Sequence, residues 1–123
     1  EHELGGMFDV AHGAGLAAVW GSWARYVYRT NPARFAQLAV NVLGVPNRFD
    51  DPERTALEGI EAMEAFYRSI GMPTSIRELG VELTEEQIKE LAFKCTYRGR
   101  RTIGGFRVLG QQDIEEIYRM ARG

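Results

Sequence analysis

Apolar residues recur three and four positions apart along most of the chain, and capping or turn residues separate the segments that carry this pattern. The first segment predicts a helix over about His12–Arg29. Asn31-Pro32 and Asp51-Pro52 are both typical helix starts, because Asn or Asp caps a first turn in which proline needs no N–H donor. The two helices are expected to end near Gly44 and Ile70. The second helix is predicted to bury a stripe made of Phe35, Leu38, Ala39, Val42 and Leu43.

Two capping boxes mark further helices in the second half of the chain. Ser75–Glu78 predicts a short helical turn, and Thr84–Gln87 predicts the start of a helix that runs to about Tyr97. A terminal helix is predicted over Asp113–Ala121. The glycine-rich segment Tyr97–Gly110 has no period-two strand partner elsewhere in the sequence. The whole pattern therefore predicts an all-α helical bundle.

Length and charge limit the possible partners. The 123 residues allow at most one domain, and 45% hydrophobic residues are enough to bury a core. A formal net charge of −2 implies no basic face, and the only basic cluster, Arg98, Arg100 and Arg101, is more typical of a solvated loop than of a phosphate site. No apolar run approaches the roughly 20 residues that a membrane span needs. We therefore expect neither nucleic acid nor a membrane as a partner.

The single cysteine, Cys95, has no partner for an internal disulfide, which fits a reducing, cytoplasmic setting. Its spacing from Ile88, Leu91 and Ala92 predicts that all four residues share one helix face. A small buried apolar residue is therefore the expected role of Cys95.

Both histidines of the chain lie within its first fifteen residues, ten positions apart. Gly5, Gly6 and Gly13 disfavour one continuous helix, so we expect a loop that folds back and places His12 at the start of the next helix. Neutral histidine is a common ligand of zinc and iron, and it relays protons near neutral pH. The spacing alone leaves two interpretations open. It fits a metal or proton-relay site, but by itself it favours a helix-start residue at His12 with a disordered end at His2.

Two histidines do not complete a metal site, because zinc usually takes four ligands and octahedral iron six. No aspartate of the chain has a supporting spacing, so any further ligands are expected outside it. Met7 and Phe8, between the histidines, either line an apolar substrate pocket or belong to the core. Gly13 and Gly15 would let a ligand or another backbone approach closely.

Other aromatic and acidic residues have simpler interpretations. Trp20 and Trp23 lie three positions apart on one predicted helix face and are expected in the core or at an interface. Helical phase predicts solvated faces, with no acid–base pair, for Glu61, Glu64, Glu85, Glu86, Glu115 and Glu116.

The segments His2–Gly6 and Asp9–Ala17 together resemble the second signature of the iron-containing (group III) alcohol dehydrogenases. In that family a histidine, a stretch of small residues and then His-Gly recur with this ten-residue gap. Phe66–Thr74 is similar to the end of a family helix that leads into a Gly-x-Pro turn. The resemblance covers essentially the whole chain and is strongest to the butanol-dehydrogenase-like branch, which reduces aldehydes.

The resemblance implies an enzyme with a Rossmann-like N-terminal half that binds NAD(H) or NADP(H) and a helical C-terminal half that carries a divalent metal. Residues 1–123 would form the latter part of this helical domain, which has a dehydroquinate-synthase-like fold. One aspartate and three histidines hold the family's metal, with Fe²⁺ favoured here over Zn²⁺. His12 matches the last ligand histidine. His2 matches a nearby histidine that lines the nicotinamide side and is assigned to proton relay, so it is the expected catalytic and cofactor-binding residue.

The other ligands and the nucleotide-binding loop would precede Glu1, so the resemblance implies a fragment of a cytoplasmic enzyme acting on small alcohols and aldehydes. We expect the isolated chain to be inactive, because one ligand does not hold a metal and hydride transfer needs the cofactor domain. Apolar surface meant for the missing half predicts self-association, and a homo-oligomer is expected.

A second hypothesis comes from a different class of protein. A stand-alone helical module that binds a partner protein through exposed aromatic residues also fits an all-α chain with this composition. A nucleotide-binding loop and an Asp…His ligand pair upstream of Glu1 would favour the enzyme, whereas a start codon directly before Glu1 would favour the module.

Overall fold

Six α-helices account for most of the part of the chain that the structure describes. A computed structural model describes residues 1–97 and 101–123. The helices are α1 (His2–Phe8), α2 (His12–Val27), α3 (Pro32–Asn41), α4 (Pro52–Ser69), α5 (Glu85–Cys95) and α6 (Gln111–Ala121). Short 3₁₀ turns at Tyr28–Thr30 and Arg77–Leu79 join α2 to α3 and precede α5. This architecture confirms the all-α prediction. In the described part of the chain no helix is long and apolar enough to cross a bilayer.

Helix α2 lies at the centre of the bundle and packs against α1, α4 and α6. Helices α3 and α4 pack against each other on one side, and α5 packs against α6 and α1 on the other. Burial of apolar surface between these layers is the main stabilising contribution. The core consists of Leu4, Ala24, Val27, Tyr28, Phe35, Ala56, Ile60, Ile76, Leu83, Ile88, Leu91, Ala92, Leu109, Ile114, Ile117, Tyr118 and Ala121.

The prediction of a glycine-rich loop at the start of the chain is wrong, because His2–Phe8 is helical. Gly5 and Gly6 each cost about 1 kcal/mol relative to alanine in a helix. Leu4 is completely buried, and burial of a leucine side chain contributes about 1.5–3 kcal/mol, so tertiary packing offsets the glycines. The helix ends at Asp9, whose left-handed backbone (φ 53°) lets its N–H donate to the Gly5 carbonyl at 2.8 Å. The expected reversal of the chain before His12 is confirmed.

The capping signals place most other helix starts correctly. The Thr84–Gln87 capping box is formed in both directions, and the Asp51 carboxylate accepts from the Arg54 N–H at 3.2 Å. Ser75 Oγ accepts from the Glu78 N–H at 3.3 Å at the start of the 3₁₀ turn. Asn31 precedes α3 without a side-chain cap.

Two predictions of burial are wrong. Helix α3 ends at Asn41, so Val42 lies beyond the buried stripe and is 69% exposed. Glu64 was expected on a solvated face but is buried between α4 and α2, where it pairs with Arg25. Gly21 on α2 provides the room for this carboxylate, because a Cβ there would lie 2.1 Å from Glu64 Oε2.

The segment before α6 has more structure than its glycines indicate. Ile103 and Leu109 form an isolated antiparallel bridge, and Phe106 packs at right angles to Phe35, with ring centroids 5.2 Å apart. The Arg101 guanidinium lies 3.5 Å from the Tyr97 ring centroid. Arg98 and Arg100, the rest of the predicted basic cluster, lie outside the described residues.

Candidate metal centre

The turn between α1 and α2 brings the two histidines together. His2 begins α1 and His12 begins α2, and their ring centroids are 5.2 Å apart with a tilt of 37°. Both residues are exposed on the same edge of the molecule. The sequence interpretation of a disordered end at His2 is therefore wrong. The pairing alone does not identify the chemistry of the site.

The His12 side chain contacts the carboxylate of Glu1, a residue that the sequence interpretation did not single out. Its Nδ1 atom is hydrogen-bonded to Glu1 Oε2. The His12 side chain is 60% exposed, whereas that of Glu1 is only 5% exposed. The carboxylate accepts a hydrogen bond from Nδ1–H, and in this neutral tautomer Nε2 is the imidazole nitrogen with the lone pair.

Glycines make the space in which the Glu1 carboxylate is buried. A Cβ at Gly15, one turn into α2, would lie 2.3 Å from Glu1 Oε1 and 2.8 Å from its Cγ. A Cβ at Gly5 would lie 3.3 Å from the same oxygen. The sequence predicted a close approach at Gly15, and the approaching group is this side chain rather than a ligand or backbone.

One carboxylate oxygen of Glu1, Oε1, is buried. Oε1 has no hydrogen-bond partner among the described residues. A buried carboxylate with an unsatisfied oxygen is costly unless a positive charge lies nearby. A divalent cation bound to His12 would supply that charge, so His12 with Glu1 behind it fits the role of one ligand of a metal. Within residues 1–97 and 101–123, however, no three histidine, cysteine or acidic side chains come together as a metal site.

Met7 and Phe8 lie on α1 and are half-buried against the core. Behind Glu1 there is a mainly apolar cavity of about 140 Å³, but neither Met7 nor Phe8 is among its lining residues. Cys95 and Tyr118 do line it, and burial raises the pKa of the Cys95 thiol and that of the Tyr118 hydroxyl. Both groups are therefore neutral at physiological pH, which agrees with the expected apolar role of Cys95.

The sequence pointed to the two histidines but missed the carboxylate that supports one of them. Glu1 is adjacent to His2, and nothing in its spacing from His12 indicates a contact across the turn. The one available signal is the pair Gly13 and Gly15 at the start of an otherwise apolar helix, which marks a place where something approaches α2 closely.

Comparison with known proteins shows which family the chain belongs to. The family model described as "Fe-containing alcohol dehydrogenase family, C-terminal" matches residues 1–122. The chain is 34% identical, over 97% of its length, to a probable NADH-dependent butanol dehydrogenase 1 of Bacillus subtilis. It superimposes on an NADH-dependent butanol dehydrogenase A from Thermotoga maritima with a TM-score of 0.85, at 32% identity and over 99% of this chain. It also superimposes on a 1,3-propanediol oxidoreductase with a TM-score of 0.82, at 30% identity and over 98% of this chain.

These matches place the molecule in a class of helical domains from metal-dependent oxidoreductases. The chain belongs to the iron-containing alcohol dehydrogenase family and corresponds to its C-terminal region. It spans about 30% of the length of the curated relatives that it matches, and 31% of the Thermotoga maritima chain. The family match favours the dehydrogenase hypothesis over that of a stand-alone interaction module.

Proposed function

We propose that this chain is the latter part of the helical domain of a longer, metal-dependent alcohol dehydrogenase. The proposed enzyme interconverts small primary alcohols and their aldehydes with NADH as the hydride carrier. The observation that carries the proposal is the placement of His12 at the start of α2, with Nδ1 held by a buried carboxylate and Nε2 left free. The family match over residues 1–122 supports the same conclusion.

His12 is the residue of this chain that would ligate the metal, which we propose to be Fe²⁺, with Zn²⁺ as the alternative. The metal and the nicotinamide, when bound, supply polarisation of the substrate oxygen and hydride exchange with the substrate carbon. The remaining ligands and the nucleotide-binding residues are proposed to lie in parts of the enzyme outside residues 1–123.

His2 is proposed to face the nicotinamide and to exchange the alcohol proton with solvent. Its ring lies 5.2 Å from that of His12, and it is exposed, so an imidazole nitrogen can take up a proton near the substrate and release it to water. Met7 and Phe8 are proposed to contribute apolar surface next to this group. Both side chains are partly buried against the core, so we propose that they form one side of a shallow substrate site rather than the lining of a deep pocket.

The choice of cofactor and substrate class rests on the relatives. NADH is named for the Bacillus subtilis and Thermotoga maritima proteins, and butanol and 1,3-propanediol are the substrates in the names of the structural neighbours. These are short primary alcohols, which supports a site of modest size. We propose a homo-oligomer, as the sequence predicted.

The test is aldehyde-dependent oxidation of NADH by the complete enzyme, with butanal and 3-hydroxypropanal as substrates. We expect turnover with NADH, less with NADPH, and a large loss of kcat in His2→Ala with the metal retained. The same loss of turnover accompanied by loss of metal would contradict the proton-relay role of His2. A wild-type enzyme that oxidises NADH with neither aldehyde would contradict the proposed function.

A further inference from the structure

We propose that Glu1 is a positioning residue for the metal centre, acting through His12. Its buried carboxylate holds the imidazole by Nδ1, so that Nε2 is presented to the metal in one orientation and one tautomer. This assignment rests on the proposed function, because it concerns the same site.

The contrast in burial between the two partners supports this role. The Glu1 side chain is 5% exposed and enclosed by protein, while that of His12 is 60% exposed at the edge of the fold. A solvent-exposed histidine is free to rotate about its side-chain bonds, and a hydrogen bond from Nδ1 to a fixed acceptor removes that freedom. Carboxylates that accept from the second nitrogen of a ligand histidine fix its orientation and raise its basicity.

The surrounding backbone is shaped to admit this carboxylate. Gly15 on α2 and Gly5 on α1 both face Glu1 Oε1, and a Cβ at Gly15 would overlap with the oxygen at 2.3 Å. Glycine is unfavourable in a helix interior, yet at Gly15 it is buried within α2. The glycine is therefore explained by the side chain that lies against it.

A purely structural role does not explain why one oxygen of this buried carboxylate lacks a hydrogen-bond partner among the described residues. Glu1 Oε2 has the His12 ring, but Oε1 has no hydrogen-bond partner among the described residues. A structural pair is stabilising when its remaining lone pairs are satisfied. A centre at His12 that carries two positive charges compensates the buried negative charge more completely than the imidazole does by itself.

The experiment measures Co²⁺ binding to the complete apo-enzyme, with affinity and the d–d absorption spectrum as readouts and Tm recorded for every variant. Glu1→Ala should weaken Co²⁺ binding by about 10–100-fold, the range typical of lost support to a ligand histidine. Glu1→Gln, which keeps an acceptor oxygen for Nδ1–H, should remain closer to wild type and retain its spectrum.

Gly15→Ala provides an independent variant that leaves Glu1 in the chain. The new methyl group displaces the carboxylate, so this variant should also lose affinity and show a changed spectrum. In the double variant Glu1→Ala, Gly15→Ala the clashing atoms are gone, so its affinity should be no lower than that of Glu1→Ala alone. Gly6→Ala is the matched control, because a Cβ there meets nothing within 4 Å, and it should bind Co²⁺ as wild type does.

Wild-type affinity and spectrum in both Glu1→Ala and Gly15→Ala would overturn the assignment, as would fully additive losses in the double variant. Failure of the proposed function has a different signature. In that case wild type binds no Co²⁺, or His12→Ala binds it as tightly as wild type, and the role of Glu1 is rejected together with the site.

Discussion

At the scale of single residues, two glycines of α2 mark the places where a carboxylate side chain lies against the helix backbone. Gly15 faces Glu1, and Gly21 faces Glu64. In each case a carboxylate takes the space that a methyl group would occupy, and it reaches a basic partner, His12 or Arg25. Helical phase does not show such pairs, because they depend on how closely two helices approach.

The Arg25–Glu64 pair gives a prediction about stability. The two side chains are joined at 2.5 Å and are 35% and 12% exposed. Glu64→Ala leaves the guanidinium without its partner and should destabilise the fold by about 1–3 kcal/mol, the range for a charged hydrogen bond that is partly buried. Glu82→Ala, in the exposed loop before α5, should change the free energy of unfolding by less than about 0.5 kcal/mol. Urea denaturation of both variants measures the difference, and equal effects would contradict the role given to the buried pair.

At the scale of elements, the contact between α3 and α4 depends on a second small residue. A Cβ at Gly59 would lie 2.5 Å from Ala39 Cβ and 3.2 Å from its Cα, so the two helices approach backbone to backbone. Gly59→Ala should therefore destabilise the fold by about 1–3 kcal/mol through overpacking. Gly6→Ala, in α1 with free space around it, should instead stabilise it by about 0.5–1 kcal/mol. Thermal unfolding of the two variants should show opposite shifts of Tm, and shifts of the same sign would contradict this packing.

The start of α6 is joined to α2 by a network centred on Asp113. Tyr26 Oη donates to Asp113 Oδ1 at 2.5 Å, and the Gly110 N–H donates to Oδ2 at 2.9 Å. The hydrogen bond from Tyr26, followed by that from Gly110, lowers the pKa of the Asp113 carboxyl below its ordinary value of 3.8. A lowered carboxyl pKa means that the ionised form stabilises the fold, and that this stabilisation is present at neutral pH and lost as the pH falls below about 3.8.

Asp113→Asn should therefore lower Tm at pH 7, and its difference from wild type should shrink as the pH is lowered through the acid range. The reason is that the amide does not ionise, so the variant lacks the stabilisation that wild type loses on protonation. Asp50→Asn, in the exposed loop before α4, serves as the control and should follow wild type at every pH. Tm measured against pH for the three proteins decides the matter, and a constant difference between Asp113→Asn and wild type would contradict the network.

Sequence pattern was sufficient for the elements whose signals are local. Thr84 and Asp51 cap α5 and α4 as predicted, because a capping side chain acts on its own first turn. It was insufficient for α1, whose two glycines disfavour a helix that burial of Leu4 stabilises. The two histidines and their proximity were also predictable, whereas the Glu1 support was not, because it crosses from one helix to the next.

At the scale of the whole molecule, the described part of the chain exposes large apolar side chains that a separate domain would be expected to cover. Phe49 is 90% exposed, Phe66 52% and Ile70 57%. These residues lie at both ends of α4 rather than in one patch around the histidines. We expect the complete enzyme to cover this surface with its remaining parts or with a second subunit.

Expressed without the rest of the enzyme, residues 1–123 should self-associate and should not oxidise NADH with an aldehyde. The physical reasons are the uncovered apolar surface and the lack of a complete ligand set among the described residues. Sedimentation velocity and a standard NADH oxidation assay check the two statements. A clean monomer would contradict the first, and aldehyde-dependent turnover would contradict the second.

The central claim is that His12 is a metal ligand in a dehydrogenase, and metal content of the complete enzyme tests it most directly. Metal should be measured by elemental analysis in wild type, His12→Ala and His2→Ala, all purified in the same way. The account predicts about one metal per chain in wild type and His2→Ala, and close to none in His12→Ala. Unchanged metal content in His12→Ala would mean that His12 is only the first residue of a helix, and it would contradict the site proposed for this fold.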